Sequence, residues 1–72
     1  MRYTVILERE ADGGYVAKVP AMVGCVSQGD TRDEAMANIR EAAELYIEDC
    51  LESGDPVPVE TEAIAIELDV PA

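Results

Sequence analysis

The sequence predicts an α+β fold with two layers, in which one helix covers one face of an antiparallel sheet in the order β-β-β-α-β. Apolar and polar residues alternate through the first third of the chain, and the apolar period lengthens to about 3.6 residues after Thr31. Alternation then returns near the C-terminus. The chain has 72 residues and no internal repeat, so we expect residues 1–72 to form a single domain.

Three short strands are predicted before the helix. Residues 2–8 alternate as the first strand, and the Asp-Gly-Gly sequence at 12–14 allows the backbone conformation of a hairpin turn. Tyr15–Val19 then returns as the second strand and ends before Pro20, which has no amide to donate. After a loop, Cys25–Gln28 is predicted as the third strand of the same antiparallel sheet.

The helix is predicted to begin at a capping box formed by Thr31 and Glu34. In that motif the Thr31 hydroxyl accepts from the Glu34 amide, and the Glu34 carboxylate accepts from the Thr31 amide. Gly54, followed by Pro56, predicts the end of the helix. The apolar stripe that should face the sheet comprises Ala35, Met36, Ile39, Ala42, Ala43, Tyr46, Ile47 and Cys50.

A fourth strand is predicted over Ala63–Val70, where apolar residues again occupy every second position. We expect one side of this strand to face the core and the other to face solvent. The inward residues are Ile64, Ile66, Leu68 and Val70, and the outward residues are Ala65, Glu67 and Asp69.

The net charge is −11, and it is distributed unevenly along the chain. Residues 1–40 contain all five basic residues and six acids, whereas residues 41–72 contain ten acids and no base. A field of this sign repels nucleic acid and anionic lipid and attracts basic proteins. Direct binding to nucleic acid or to a membrane is therefore not expected.

The residue types needed for common enzyme sites are missing. There is no histidine, so a histidine-assisted nucleophile is excluded, and two cysteines 25 residues apart do not form a zinc motif. We predict no catalytic residues, no cofactor and no metal. The alternative is a metal-dependent nuclease of the ribonuclease-H type, whose carboxylates would be Glu8 with Glu34 or Glu41.

Acidic residues crowd the helix toward its C-terminal end, where the helix macrodipole is already negative. Helix stability alone would favour lysine or arginine at these positions, so the acids favour a role in binding a basic partner. Solvated charge with no binding role is the alternative. The predicted partner-binding residues are Glu41, Glu44, Glu48 and Glu52.

Taken in order and spacing, several short motifs make the chain resemble the HicB family of antitoxins from HicA–HicB toxin–antitoxin pairs. The motifs are Asp12-Gly13-Gly14-Tyr15, Val19-Pro20 followed by Gly24-Cys25, Gln28-Gly29-Asp30-Thr31 with Glu34-Ala35, and Asn38-x-x-Glu41-Ala42 with Tyr46-Ile47. The resemblance covers nearly the whole chain. It implies a partial ribonuclease-H-like fold.

The resemblance also implies a function, which is to bind and mask a small basic HicA-type toxin that cleaves messenger RNA. Many HicB proteins continue into a C-terminal DNA-binding domain, whereas this sequence ends at Ala72. We therefore expect a single HicB-like domain with no DNA-binding domain. A HicB-like module without a toxin partner is the remaining alternative.

The small size of the domain favours self-association. A chain of 72 residues without a disulfide framework buries a limited core, and oligomerisation is a common remedy. We expect a homo-oligomer, either a dimer or a tetramer. The sequence shows no signal peptide and no apolar run long enough for a membrane span, which favours a cytoplasmic protein.

Overall fold

Three antiparallel strands and a long helix build the fold of this computed structural model, which describes residues 1–60, 62 and 64–71. The elements are β1 (Ile6–Arg9), β2 (Tyr15–Lys18), β3 (Val26–Gly29) and α1 (Arg32–Ser53). The strands are ordered β1-β2-β3, and α1 packs against β2 and β3. The predicted α+β class, with three antiparallel strands followed by a helix, is confirmed.

The turn between β1 and β2 is held by its own backbone. The Glu10 N–H donates to the Gly14 carbonyl at 2.7 Å, and the Gly13 N–H donates to the Glu10 carbonyl at 3.0 Å. Gly13 has φ of 96°, a conformation that glycine adopts without a steric penalty. The Asp12 carboxylate accepts from the Gly14 N–H at 3.0 Å, so this residue also fixes the turn.

Strand β1 begins later than the sequence predicts. Its register pairs Ile6 with Lys18, and continuing that register toward the N-terminus would place Thr4 opposite Pro20. Proline has no N–H, so the ladder loses a donor at this position. Residues 2–5 therefore continue past the paired strand without a partner in β2.

The N-terminus of α1 is capped by Thr31, as predicted. Its hydroxyl oxygen accepts from the Glu34 N–H at 3.1 Å. The second half of the predicted capping box is wrong, because the Glu34 carboxylate accepts from the Asp30 N–H at 2.8 Å rather than from the Thr31 amide. The Glu34 carboxylate thus binds the backbone N–H of the residue before Thr31, at the point where the chain leaves the sheet.

Gly29 allows β3 to approach the start of α1 closely. A Cβ atom added at Gly29 would lie 2.5 Å from the Ala35 backbone nitrogen and 2.7 Å from Glu34 Cβ. The Asn38 side chain holds the same junction from the helix, since its amide donates to the Gln28 carbonyl at 2.7 Å. The absence of a side chain at Gly29 and the Asn38 hydrogen bond thus add to the Thr31 and Glu34 hydrogen bonds that hold the junction.

The core lies between the sheet and α1. Its buried residues are Ala17, Val19, Met22, Cys25, Ala35 and Ile39. Met22 comes from the loop after β2 and is only 1% exposed, although no periodic pattern marks it. The loop folds Met22 inward through two backbone hydrogen bonds, in which its N–H donates to Val19 and its carbonyl accepts from Cys25. Burial also raises the pKa of the Cys25 thiol.

Helix α1 ends at a glycine in the left-handed conformation, as predicted. Gly54 has φ of 75°, and its N–H donates to the Cys50 carbonyl. The Asp55 N–H donates to the same carbonyl at 2.9 Å. No helix in the described part of the chain is long and apolar enough to cross a membrane.

The predicted fourth strand is wrong as a paired and buried element. Residues 64–70 form no strand pairing in the structure, and Ala63 lies outside the described residues. The four side chains predicted to face inward are instead exposed: Ile64 69%, Ile66 81%, Leu68 82% and Val70 72%. The backbone of a strand needs the edge of a neighbouring strand for its hydrogen bonds. This segment does not lie beside a strand of its own chain.

Candidate partner-binding surface

The four predicted partner-binding residues lie together on the solvent side of α1. Glu41, Glu44, Glu48 and Glu52 are all exposed. A helix turns about 100° and rises 1.5 Å per residue, so the four fall within an arc of about 80° and a length of about 17 Å. We call these four residues the acidic stripe.

Two exposed leucines flank the acidic stripe, and neither was predicted from the sequence. Leu45 is 54% exposed and Leu51 is 68% exposed. Both lie outside the apolar stripe that faces the sheet. A leucine outside that stripe is predicted to be exposed, and this was the signal in the sequence that could have identified them. One exposed apolar side chain therefore lies on each side of the acidic stripe.

The acidic stripe is little neutralised by its surroundings. Arg40 contacts Glu44 at 3.6 Å, in a pair whose side chains are both largely exposed. Such pairs contribute little to stability. The last turn of α1 contains no basic residue, so the negative end of the helix adds to the field of the carboxylates.

The carboxylates proposed for a nuclease are not brought together. Glu8 lies on the face of the sheet opposite the helix, where its carboxylate contacts Lys18 Nζ at 2.8 Å. The hydrogen bond and charge of Lys18 lower the pKa of Glu8. Glu34 caps the Asp30 amide, and Glu41 lies on the exposed side of α1. Residues 1–60, 62 and 64–71 contain no group of three His, Cys, Asp or Glu residues that could hold a metal ion.

A groove of about 1000 Å³ runs between residues 1–5 and α1. Its walls are mainly apolar, and two arginines border it. The residues that line it are Met1, Arg2, Tyr3, Val5, Val19, Met36, Ala37, Ile39, Arg40, Ala43, Glu44 and Ile47.

The chain returns to this groove after α1. The Tyr3 hydroxyl donates to the Pro58 carbonyl at 2.5 Å. The Glu60 carboxylate accepts from the Thr4 N–H at 3.0 Å and also from the Thr4 hydroxyl. These hydrogen bonds lower the pKa of Glu60. Residues 58–60 are thereby attached beside residues 3–4, a contact that no sequence pattern indicated.

Comparison with known proteins shows a family for nearly the whole chain. A family model described as the HicB-like antitoxin of bacterial toxin–antitoxin systems matches residues 3–71. A UPF0150 protein of Synechocystis sp. is 59% identical over 58 residues, which cover 81% of this chain and 73% of that protein. A UPF0150 protein of Thermoplasma acidophilum is 47% identical over 58 residues, which cover 81% of this chain and 84% of that protein. The chain therefore belongs to the HicB-like antitoxin family.

Proposed function

We propose that this chain acts as an antitoxin by binding a small basic HicA-type toxin that cleaves messenger RNA, and by covering the active site of that toxin. The family supplies the general role. The observation that supports a basic partner is the acidic stripe, which presents four exposed carboxylates along one side of α1.

The surroundings of the acidic stripe support a protein partner in particular. Leu45 and Leu51 offer apolar contacts beside the charges, so that desolvation of an interface can contribute affinity while the carboxylates guide encounter. The carboxylates considered for nuclease chemistry are separated in the fold. Masking requires only a tight cover, so the role fits a chain that uses no chemistry of its own.

Three further properties belong to the same proposal. Residues 1–72 work as a single HicB-like domain, and their acidic charge disfavours DNA binding by these residues. It acts in the cytoplasm, where messenger RNA is cleaved and translated. It self-associates as a dimer or tetramer, because the core of six buried residues in the described part of the chain is small for a domain of this length.

Charge reversal at the end of the acidic stripe tests the proposed toxin contact. Glu48→Lys with Glu52→Lys should slow association with a purified basic HicA-type toxin by about tenfold or more at low salt. It should also flatten the salt dependence of the on-rate. Helix stability should not fall, because lysine near a helix C-terminus is favourable.

A matched control separates local contact from total charge. Glu10→Lys with Asp33→Lys changes the net charge by the same amount at exposed positions away from the acidic stripe. We expect this variant to slow association less than about threefold. Equal slowing by the two double variants, measured by stopped-flow or surface-based kinetics, would show that the acidic stripe is not the contact.

A further inference from the structure

The C-terminal segment, residues 64–70, is placed outside the fold that its sequence pattern would complete. Its four apolar residues at alternate positions are 69–82% exposed. The Cα radius of gyration is 14.2 Å, whereas a compact domain of 72 residues has a radius of about 11 Å. The difference is consistent with a segment that projects from the body.

The attachment of residues 58–60 explains why the segment cannot complete its own sheet. Glu60 is bound to Thr4, close to the N-terminus of the chain. If the chain continued antiparallel to β1 from Glu60, residue 64 would already lie beyond Met1, and residues 64–70 would have no residue of β1 beside them. If it continued parallel to β1, residue 64 would lie near Glu8, and residues 66–70 would lie beyond the end of β1. In neither direction do most of these residues meet their own β1.

The surface that such a strand requires is present and open. In the described part of the chain, the outer edge of β1 has no neighbouring strand, since the sheet order is β1-β2-β3. The groove continues this edge toward the N-terminus, between residues 1–5 and α1. A strand added to β1 and extended along residues 1–5 would therefore place one row of side chains in the groove and turn the other row to solvent.

We propose that residues 64–70 of one copy of this chain bind along the β1 edge and groove of a second copy, and that the second copy returns the same contact. Ile64, Ile66, Leu68 and Val70 enter the partner's groove. Ala65, Glu67 and Asp69 face solvent at its rim. The contact is a symmetric exchange of strands, so it closes as a dimer. This inference deepens the self-association proposed above and does not depend on the toxin.

Charge favours a second copy over a basic partner as the occupant of the groove. Arg2, Arg40 and Glu44 border the groove, so its charged side chains sum to a net charge of +1. Glu67 and Asp69 accompany the apolar residues of the segment, so the segment brings acids toward these arginines. A basic toxin would bring like charge to the same place, which disfavours it there.

The size of the contact is that of a stable dimer. Burying one large aliphatic side chain removes on the order of 100 Å² of apolar surface. Eight such side chains from two segments, with an equal area of the grooves that they cover, give on the order of 1,600 Å², the size of a standard specific interface.

The first test is the mass of the full chain in solution. We expect a dimer by light scattering at tens of micromolar. Ile66→Asp with Leu68→Asp should convert it to monomer, with an unchanged helical circular dichroism spectrum because both residues lie outside the core. The matched control is Ala65→Asp, which adds charge on the outward row of the same segment and should leave the dimer intact.

The second test locates the segment. In a Cys50→Ser background, a chain that carries Val5→Cys and Leu68→Cys should form a disulfide-linked dimer on mild oxidation. A monomeric wild type would contradict both the self-association and the exchange. A dimer that survives Ile66→Asp with Leu68→Asp would keep the self-association and overturn the exchange. An intramolecular disulfide, or protection of residues 64–70 only when a basic partner is added, would also overturn it.

Discussion

Replacing Gly29 with alanine tests the close packing of β3 against the start of α1. The added Cβ would lie 2.5 Å from the Ala35 backbone nitrogen and 2.7 Å from Glu34 Cβ, so the backbone of the junction must move. Overpacking of this kind costs about 1–3 kcal/mol, and the lower entropy of the unfolded chain returns about 0.4–1 kcal/mol. The midpoints of these two ranges give a net loss of about 1.3 kcal/mol, which lowers Tm by about 5–10 °C.

Urea unfolding followed by circular dichroism, at one protein concentration, measures this loss. Gly14→Ala is the matched control, because Gly14 lies next to the residue that pairs with Gly29, and its added Cβ would meet atoms no closer than 3.3 Å. The unfolded-state gain of about 0.4–1 kcal/mol is common to both variants. The 3.3 Å contacts of the control require a shift of only a few tenths of an ångström, so we expect Gly14→Ala to be more stable than Gly29→Ala. A Gly29→Ala protein as stable as the control would refute the packing argument.

Two further predictions concern the loop core and the C-terminal attachment. Met22→Ala should reduce the free energy of unfolding by about 2–5 kcal/mol because the side chain is buried. Val23→Ala, at the neighbouring residue that is 88% exposed, should change it by less than about 0.5 kcal/mol. Equal losses in the two variants would contradict the role of Met22 in the core. The lowered pKa of Glu60 means that its bonds to Thr4 are complete above the ordinary glutamate value of about 4.3 and are lost as pH falls through the lowered value. Proton NMR should therefore show the Thr4 amide shifting in that acidic range, and Glu60→Gln should abolish the shift; a shift that persists in the variant would assign it to another group.

Local chemistry explains which elements the sequence predicted well. The turn at Gly13, the cap at Thr31 and the helix end at Gly54 each depend on one residue's backbone or side chain and its immediate neighbours. Such signals are readable without knowing the rest of the fold. The three strands and the helix followed from them, with boundaries that moved by up to a few residues.

Features that depend on distant contacts were not predictable in the same way. Met22 is buried because its loop turns inward under the helix, and no periodic pattern marks a single loop residue. Alternation over residues 64–70 predicts a strand, but it carries no information on which sheet edge is available, and the structure has no strand there. The acidic stripe was predictable as one face of a helix, whereas the attachment of Glu60 to Thr4 joins residues 56 positions apart.

The spacing of acids among the apolar residues of 64–70 limits how copies of this chain stack. An exposed stretch of alternating aliphatic residues is a hazard, because many copies can align in register and grow into fibrils. In any parallel in-register stack, Glu67 would lie directly on Glu67 of the next copy, and Asp69 on Asp69, so each added layer increases the repulsion. These two carboxylates therefore act as gatekeepers, leaving the segment free to join a sheet edge while opposing open-ended growth.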